Sequence, residues 1–301
     1  MNLDEVFGTL SEKIKEVRRD ECMAAHTSFK AGGPADIMAL PASADEVRHV
    51  LITARQLDVP LFVMGRGTNL LVTSKGIRGI VMKLADNFSG VEFDGTCVTA
   101  KSGTPLAVLV REAMARSLGG AEFLGGIPGT LGGAVCMNAG AYGGEIGDFV
   151  EEVYIATWAG EVTLNQSEMN FGYRHSILSN TPLVVTGARL KLVSCCRDDS
   201  KDKLCCLNEK RRTKQPLEYP SAGSTFKRPE GGYAGAMIEQ AGLKGLSVGG
   251  AAVSEKHAGF VINAGGATPE DIIALIEKVQ QRVFEHCGVK LEPEVKIVGE
   301  R

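Results

Sequence analysis

Between residues 125 and 144 the chain reads Gly125-Gly126-Ile127-Pro128-Gly129-Thr130-Leu131-Gly132-Gly133-Ala134-Val135-Cys136-Met137-Asn138-Ala139-Gly140-Ala141-Tyr142-Gly143-Gly144. Glycine at this density strips β-carbons from a long piece of backbone, which opens positive φ and lets main-chain N–H groups approach a ligand closely. Ordering such backbone costs extra conformational entropy, so a compensating contact is expected: a large ligand whose phosphates or planar ring meet N–H groups. The alternative is a Gly-rich structural loop or flexible linker. Linkers are polar, however, and this stretch is threaded with Ile127, Leu131, Val135 and Met137, which predicts burial.

A chain of 301 residues with 44% hydrophobic content can bury one large core or two or three smaller ones. Its net charge of -3 provides neither a global basic field for nucleic acid nor an acidic excess. No nucleic-acid partner is expected, and any anion site is local. Residues 1–18 lack the apolar stretch and small-residue cleavage site of a signal peptide, and no apolar run approaches the length of a membrane span. The reading is a cytoplasmic protein with no membrane partner. In a chain of this length without a secretion signal, the eight cysteines are expected as reduced thiols. Cys22, Cys97, Cys136 and Cys287 read as small core fillers. The pairs Cys195-Cys196 and Cys205-Cys206 allow a four-thiolate metal site or plain surface thiols. With no C-x-x-C and no nearby histidine, no metal site is expected.

Residues 4–19 place Val6, Phe7, Leu10, Ile14 and Val17 at helical spacing, an amphipathic helix. Residues 36–40 read as a strand. Ser43 with Glu46 predicts a capping box for a helix to about Leu57, leading into a strand over 61–64, a β–α–β unit. Then comes Gly65-Arg66-Gly67-Thr68-Asn69-Leu70-Leu71-Val72. It begins like a dinucleotide fingerprint, but the third glycine is missing and the sequel is apolar and β-like, which argues against a Rossmann crossover. It is a second candidate ligand loop or a simple turn. Further strands are expected over 77–84, 91–93, 97–100, 150–158, 161–164 and 182–193, and a helix from about Pro105 to Ser117. Residues 194–208 read as a boundary or linker into a helix. Lys210, Arg211, Arg212, Lys214, Lys227 and Arg228 concentrate positive charge, as a solvated helix face or an anion-facing surface. A third α/β unit ends with a helix over 268–286 and a strand over 295–298.

Several of these stretches together resemble one family. Gly65-Arg66-Gly67-Thr68-Asn69, Gly126-Ile127-Pro128-Gly129-Thr130-Leu131-Gly132-Gly133 with Asn138-Ala139-Gly140, Phe171-Gly172-Tyr173-Arg174-His175-Ser176, Ala222-Gly223-Ser224-Thr225-Phe226-Lys227 and Leu291-Glu292-Pro293-Glu294 are similar, in order, to the UDP-N-acetylenolpyruvoylglucosamine reductases. The resemblance implies an α+β chain: a two-lobed FAD-binding domain of the vanillyl-alcohol-oxidase (PCMH) type followed by a C-terminal α/β substrate domain. It implies lobes over 1–85 and 86–195, a substrate-binding domain over 208–293, and a terminal strand over 294–301 that returns to the FAD domain. It also implies the chemistry, in which NADPH reduces a non-covalent FAD and the reduced flavin passes hydride to the enolpyruvyl group of a UDP-sugar. Only eight residues separate Arg174 from Leu183, so the chain resembles the shorter form of the family, which lacks a mobile tyrosine-bearing loop.

Carried onto this sequence, the resemblance assigns Arg174, Ser224 and Glu294 to catalysis. It assigns Gly65, Arg66, Gly67, Thr68, Asn69, Leu70, Gly126, Ile127, Pro128, Gly129, Gly132, Gly133, Asn138 and Gly140 to the cofactor, and Tyr173, Lys214, Lys227 and Arg228 to the substrate. Hydride addition to an enol ether conjugated to a carboxylate leaves a transient enolate, which a positioned cation such as Arg174 stabilises. The adjacent carbon then needs a proton, and Ser224 is the expected donor. Two rivals stand beside this reading: another FAD oxidase or dehydrogenase on the same fold, and a non-catalytic nucleotide-binding protein. A monomer is expected.

Overall fold

The structure is a computed structural model that describes residues 2–179, 181 and 183–300. Met1, Asn180, Pro182 and Arg301 lie outside the described residues, and with them the expected strand start at Pro182 and the outermost positions of the first and last expected segments.

The chain divides into two compact units, one of Met1–Arg19, Ile37–Arg66 and Gly79–Glu209, the other of Asp20–Asp36, Gly67–Arg78 and Lys210–Arg301. A four-stranded sheet runs in the order Val17–Cys22, Pro34–Ala39, Ile77–Lys83, Leu61–Met64. The helix expected over 4–19 is shorter: α1 covers Leu3–Ser11, and Val17 opens the first strand of that sheet. Ile14 sends its amide back to the Leu10 carbonyl (3.0 Å) in a closing turn and is buried, so it keeps its place in the apolar stripe. Beyond it, sheet pairing overrides the helical spacing. Helix α2, Ala44–Gln56, starts where expected, with Ser43 Oγ accepting from the Glu46 amide at 3.2 Å. The reciprocal half of the predicted box is displaced, since Glu46 accepts from the Ala42 amide.

The first unit contains an antiparallel five-stranded sheet in the order Gly160–Asn165, Val150–Thr157, Val184–Lys191, Cys97–Lys101, Val91–Asp94. Its buried side chains Val98, Val153 and Leu190 join Leu106, Leu109 and Val110 of α3 (Leu106–Met114) and Leu131 and Val135 of α4 (Leu131–Met137) in one core. Pro105, expected as the first residue of α3, is instead its N-cap. The segment expected as a linker over 194–208 is largely helix: α5 spans Arg197–Lys214. Its start is fixed to the first unit by Ser200 Oγ, which donates to Glu122 Oε1 at 2.7 Å, and by the Lys203 ammonium, 2.8 Å from Glu122 Oε2. Of the four cysteines read as core fillers only Cys97 is buried. Cys136 is half-buried, and Cys22 and Cys287 are exposed at the ends of a strand and a helix, where the burial period runs out.

In the second unit, α6 (Ala234–Gln240) and α7 (Pro269–Cys287) share a core with the three-stranded antiparallel sheet Ser247–Val248, Ala251–Val253, Val261–Asn263. Helix α7 has both halves of a capping box, Thr268 Oγ1 accepting from the Asp271 amide and Asp271 from the Thr268 amide. Near the chain end, Lys296–Val298 pairs in parallel with Leu70–Val72. Among the described residues no helix is long and apolar enough to cross a membrane.

Candidate functional site

In the first unit the two glycine segments converge on one threonine. A Cβ on Gly65 would lie 2.4 Å from Thr130 Oγ1, so a side chain here would displace the hydroxyl. A Cβ on Gly133 would have that same oxygen, at 3.7 Å, as its only near neighbour, and Gly133 is exposed. Gly132 is close-packed instead, because a Cβ there would meet Ser102 Cβ at 2.7 Å. The segment is not the open run of free N–H groups that its composition suggests. Gly126 closes a short 3-10 turn, Gly129 donates to Ile127 O (2.9 Å), Leu131 to Thr104 O (2.9 Å) and Gly132 to Ser102 O (2.8 Å), and Leu131 already starts α4. Pro128 is exposed, with Ile127 and Gly129 half-buried beside it. The residues fit a large planar or phosphate-bearing cofactor on two counts. The backbone at Gly133 leaves a cradle that a side chain would begin to fill, and Ser102 Oγ is buried with no hydrogen-bond partner among the described residues. Arg66, also expected at the cofactor, has its guanidinium 2.6 Å from the Asp86 carboxylate on the surface.

Asn138 ends α4 in the left-handed region, with φ +45°. Its buried side chain is fully engaged: Nδ2 donates to Glu145 Oε2 (2.7 Å) and to Gly172 O (3.0 Å), and Oδ1 accepts from the Gly147 amide (3.0 Å). The bond to Gly172 ties down the loop that carries Tyr173 and Arg174. Ser176 adds a second tie, donating to Cys136 O at 2.7 Å. Within that loop Gly172 and His175 exchange both backbone bonds at 3.0 Å, which forces Arg174 to φ +53°. Left-handed backbone costs a non-glycine residue about 1–2 kcal/mol, and such strain is characteristic of functional positions. The guanidinium donates to Gly140 O (3.2 Å) and lies 5.2 Å from the centre of the exposed Tyr173 ring. Gly140, Asn138, Tyr173 and Arg174 thus form one construction.

The second unit brings together residues about seventy positions apart. Phe226 and Pro293 form an antiparallel bridge, the Glu294 amide donates to Thr225 O (2.8 Å), and the Lys227 amide to Glu292 O (2.9 Å). This pairing places exposed Ser224 and half-buried Glu294 on neighbouring backbone. Asn69 completes the arrangement from the other side, Nδ2 donating to Glu294 O at 3.0 Å while its own carbonyl accepts from Lys296 N at 3.0 Å. Leu70 opens the strand beside Lys296. Gly67, at φ +65°, accepts from Ser28 N (3.2 Å), and Thr68 is half-buried between them. Lys227 pairs with Glu292, and the Arg228 guanidinium stacks 4.6 Å from the centre of the exposed Tyr233 ring. Lys214 is the exposed last residue of α5.

Sequence reasoning missed the residues that brace these positions. Thr225 is fully buried: its hydroxyl accepts from Val261 N (2.9 Å) and its amide donates to Gly259 O (2.8 Å). His257 accepts from Gly259 N on Nδ1 at 3.1 Å, and burial, followed by the charges of Lys244 and Lys214, holds its imidazole below the ordinary histidine range. The Ser224 to Lys227 motif draws the eye to its charged members, whereas the buried hydroxyl between them sets the register.

A family model for the C-terminal domain of UDP-N-acetylenolpyruvoylglucosamine reductase matches residues 215–298, and an FAD binding domain model matches residues 35–164. A UDP-N-acetylenolpyruvoylglucosamine reductase from Caldanaerobacter subterraneus subsp. tengcongensis is 50% identical over 299 residues, 97% of this chain and 99% of the relative. The chain belongs to the UDP-N-acetylenolpyruvoylglucosamine reductase family. A second reductase, from Clostridioides difficile, is 46% identical with 100% of each chain covered. The crystal structure of UDP-N-acetylenolpyruvylglucosamine reductase from Thermus caldophilus is similar with a TM-score of 0.81 and 34% identity, over 94% of this chain and 98% of that one. An alkyldihydroxyacetonephosphate synthase, at 18% identity, 63% and 40% coverage and a TM-score of 0.50, shares the fold alone. The expected fold class holds: an FAD-binding domain of the PCMH type joined to the reductase family's C-terminal domain. This member of the reductase family is an FAD-dependent oxidoreductase.

Proposed function

We propose that this chain uses NADPH to reduce the enolpyruvyl ether of a UDP-N-acetylglucosamine derivative to UDP-N-acetylmuramate, a cytoplasmic step in peptidoglycan precursor synthesis, and that it works as a monomer. Gly65, Gly126 to Gly129, Gly132 and Gly133, in the lobes over 1–85 and 86–195, would hold the FAD. When bound, FAD accepts hydride from NADPH and delivers it to the enolpyruvyl group. The remaining work belongs to side chains. Arg174, pre-set by its strained loop, neutralises the charge that builds on the substrate carboxylate, where a fixed cation is worth more than a mobile one. Ser224 gives the adjacent carbon its proton from a fixed direction, which makes the product chiral. Glu294, on the neighbouring strand, orients that end of the substrate, and Tyr173, Lys214, Lys227 and Arg228 contact the UDP-sugar. With its ammonium already paired to Glu292, Lys227 contributes as a shared charge and not as a free one.

The observation that carries this reading is the pairing of Ser224-Thr225-Phe226-Lys227 with Glu292-Pro293-Glu294, through the Phe226 to Pro293 bridge. A nucleotide-binding protein has no need to hold a serine and a carboxylate of distant motifs in register. Absorption spectra test it. The purified protein should be yellow, should bleach with NADPH, and should regain its colour when the UDP-enolpyruvyl sugar is added without oxygen. Colour that NADPH cannot bleach, or that the sugar cannot restore, would defeat the proposal.

A further inference from the structure

Tyr233 stands where neither its helix nor the core calls for an aromatic ring. It is the N-cap residue of α6, extended at φ -120° and ψ 131°, and its carbonyl accepts from the Ala236 amide (3.1 Å) and the Met237 amide (3.2 Å). Serine, threonine, aspartate and asparagine are favoured at such a position because their side chains accept from a helical amide. Tyr233 makes no side-chain cap bond. The next residue, Ala234, is buried in the core of the second unit, whereas Tyr233 is 64% exposed. What the ring does face is Arg228, whose guanidinium carbon lies over it, 4.6 Å from its centre. Both ends of the loop between them are fixed. Arg228 follows directly on Lys227, whose amide donates to Glu292 O (2.9 Å), and the proline after it disfavours helical backbone. Gly231, at φ +80°, then turns the chain back into the start of α6.

We propose that Tyr233 is a positioning residue for substrate binding, its ring holding the Arg228 guanidinium in the pose that meets the diphosphate of the UDP-sugar. The inference rests on the reading of Arg228 as a contact of that sugar. A guanidinium on a long stem loses rotamer freedom when it binds an anion, and one already held on a ring loses less. The kind of partner matters as well. The neighbouring Lys227 is held by the Glu292 carboxylate, which offsets its charge. An aromatic face orients a cation without neutralising it, so this partner leaves the charge of Arg228 for the diphosphate.

The test is steady-state kinetics of the full-length, FAD-loaded chain with the UDP-enolpyruvyl sugar as varied substrate at saturating NADPH, for wild type and variants at the two positions. Arg228→Ala should raise KM about tenfold or more, the scale of a lost hydrogen bond to a charged group. Tyr233→Ala should raise it about fivefold, as expected for an exposed cation–π pair, with kcat within about twofold of wild type. Tyr233→Phe, which keeps the aromatic face, should match wild type, and Tyr233→Leu, which keeps only apolar bulk, should match Tyr233→Ala. Adding Tyr233→Ala to Arg228→Ala should raise KM no further, because the ring acts through the guanidinium. A KM within about twofold of wild type in Tyr233→Ala, recovery by leucine, or effects that multiply in the double variant would each overturn the proposal. An unchanged KM in Arg228→Ala would overturn the reading of Arg228 as a substrate contact and the proposal with it. A raised KM in that variant beside an unchanged one in Tyr233→Ala would overturn the proposal alone.

Discussion

The tripeptide Asn-Ala-Gly occurs once in each unit, as Asn138-Ala139-Gly140 and Asn263-Ala264-Gly265. Both asparagines are buried and both make three side-chain bonds, yet they work differently. Asn138 spends two donors and one acceptor bond on segments elsewhere in the chain, the Glu145 carboxylate, Gly172 O and Gly147 N. Asn263 spends one donor on distant Phe29 O (2.9 Å), and its oxygen accepts from two amides of its own turn, Gly265 and Ala267, both at 3.1 Å. The first is a clamp on the arginine loop, whereas the second mainly shapes the turn that leads into α7. A shared motif therefore fixes the residue type needed, a side chain with both donors and an acceptor, without fixing what is held.

The comparison breaks most sharply at Asn138→Ala. Removing that side chain leaves a carboxylate, a carbonyl and an amide without their partner, at an expected cost of about 3 kcal/mol. Urea unfolding should report the loss, and hydrogen exchange should show faster opening at the Gly147 amide. Asn263→Ala should cost less, about 2 kcal/mol, with faster exchange at the Gly265 and Ala267 amides and FAD affinity unchanged. Aspartate separates the two further. Asn263→Asp keeps the acceptor for both amides and should cost about 1 kcal/mol, but Asn138→Asp sets a second carboxylate against Glu145 and should approach the alanine variant. Equal effects of aspartate at the two positions would erase the distinction.

A third buried clamp adds a pH axis. Burial raises the pKa of Glu122, but the Lys203 and Ser200 bonds and the Gly120 amide outweigh it and hold the carboxyl at about 2. Its contribution to stability is complete above the ordinary carboxylate value of 4.5 and is lost as pH falls through about 2. Glu122→Gln should lower the melting temperature at neutral pH by a few degrees. It should also flatten acid destabilisation in that window, whereas the two asparagine variants should keep the wild-type acid slope.

Much of this was legible in the sequence where local chemistry and tertiary packing agree. The Ser43 cap, the strand over 61–64 and the capped helix at Thr268 needed only propensity and pattern. The reading faltered where distant partners decide. Val17 continues a helical stripe but pairs in a sheet, and the charged run after Arg197 becomes helix because Glu122, seventy-five residues earlier, receives its first turn. The same holds for the candidate site. Glycines and charged residues announce themselves, and Arg174, Ser224 and Glu294 stand in motifs. The bonds of Asn138 to the arginine loop, the register set by Thr225 and the unpaired hydroxyl of Ser102 depend on three-dimensional neighbours that no spacing rule supplies.

The division of labour between flavin-holding and proton-giving residues is the central claim, and rapid-mixing kinetics of Ser224→Ala test it most directly. Flavin bleaching by NADPH and recolouring by the UDP-enolpyruvyl sugar are recorded separately. The account predicts bleaching close to the wild-type rate, with recolouring slowed by at least roughly 10²–10⁴-fold, the range expected for a lost general acid. Equal slowing of both phases, or recolouring at the wild-type rate, would contradict it.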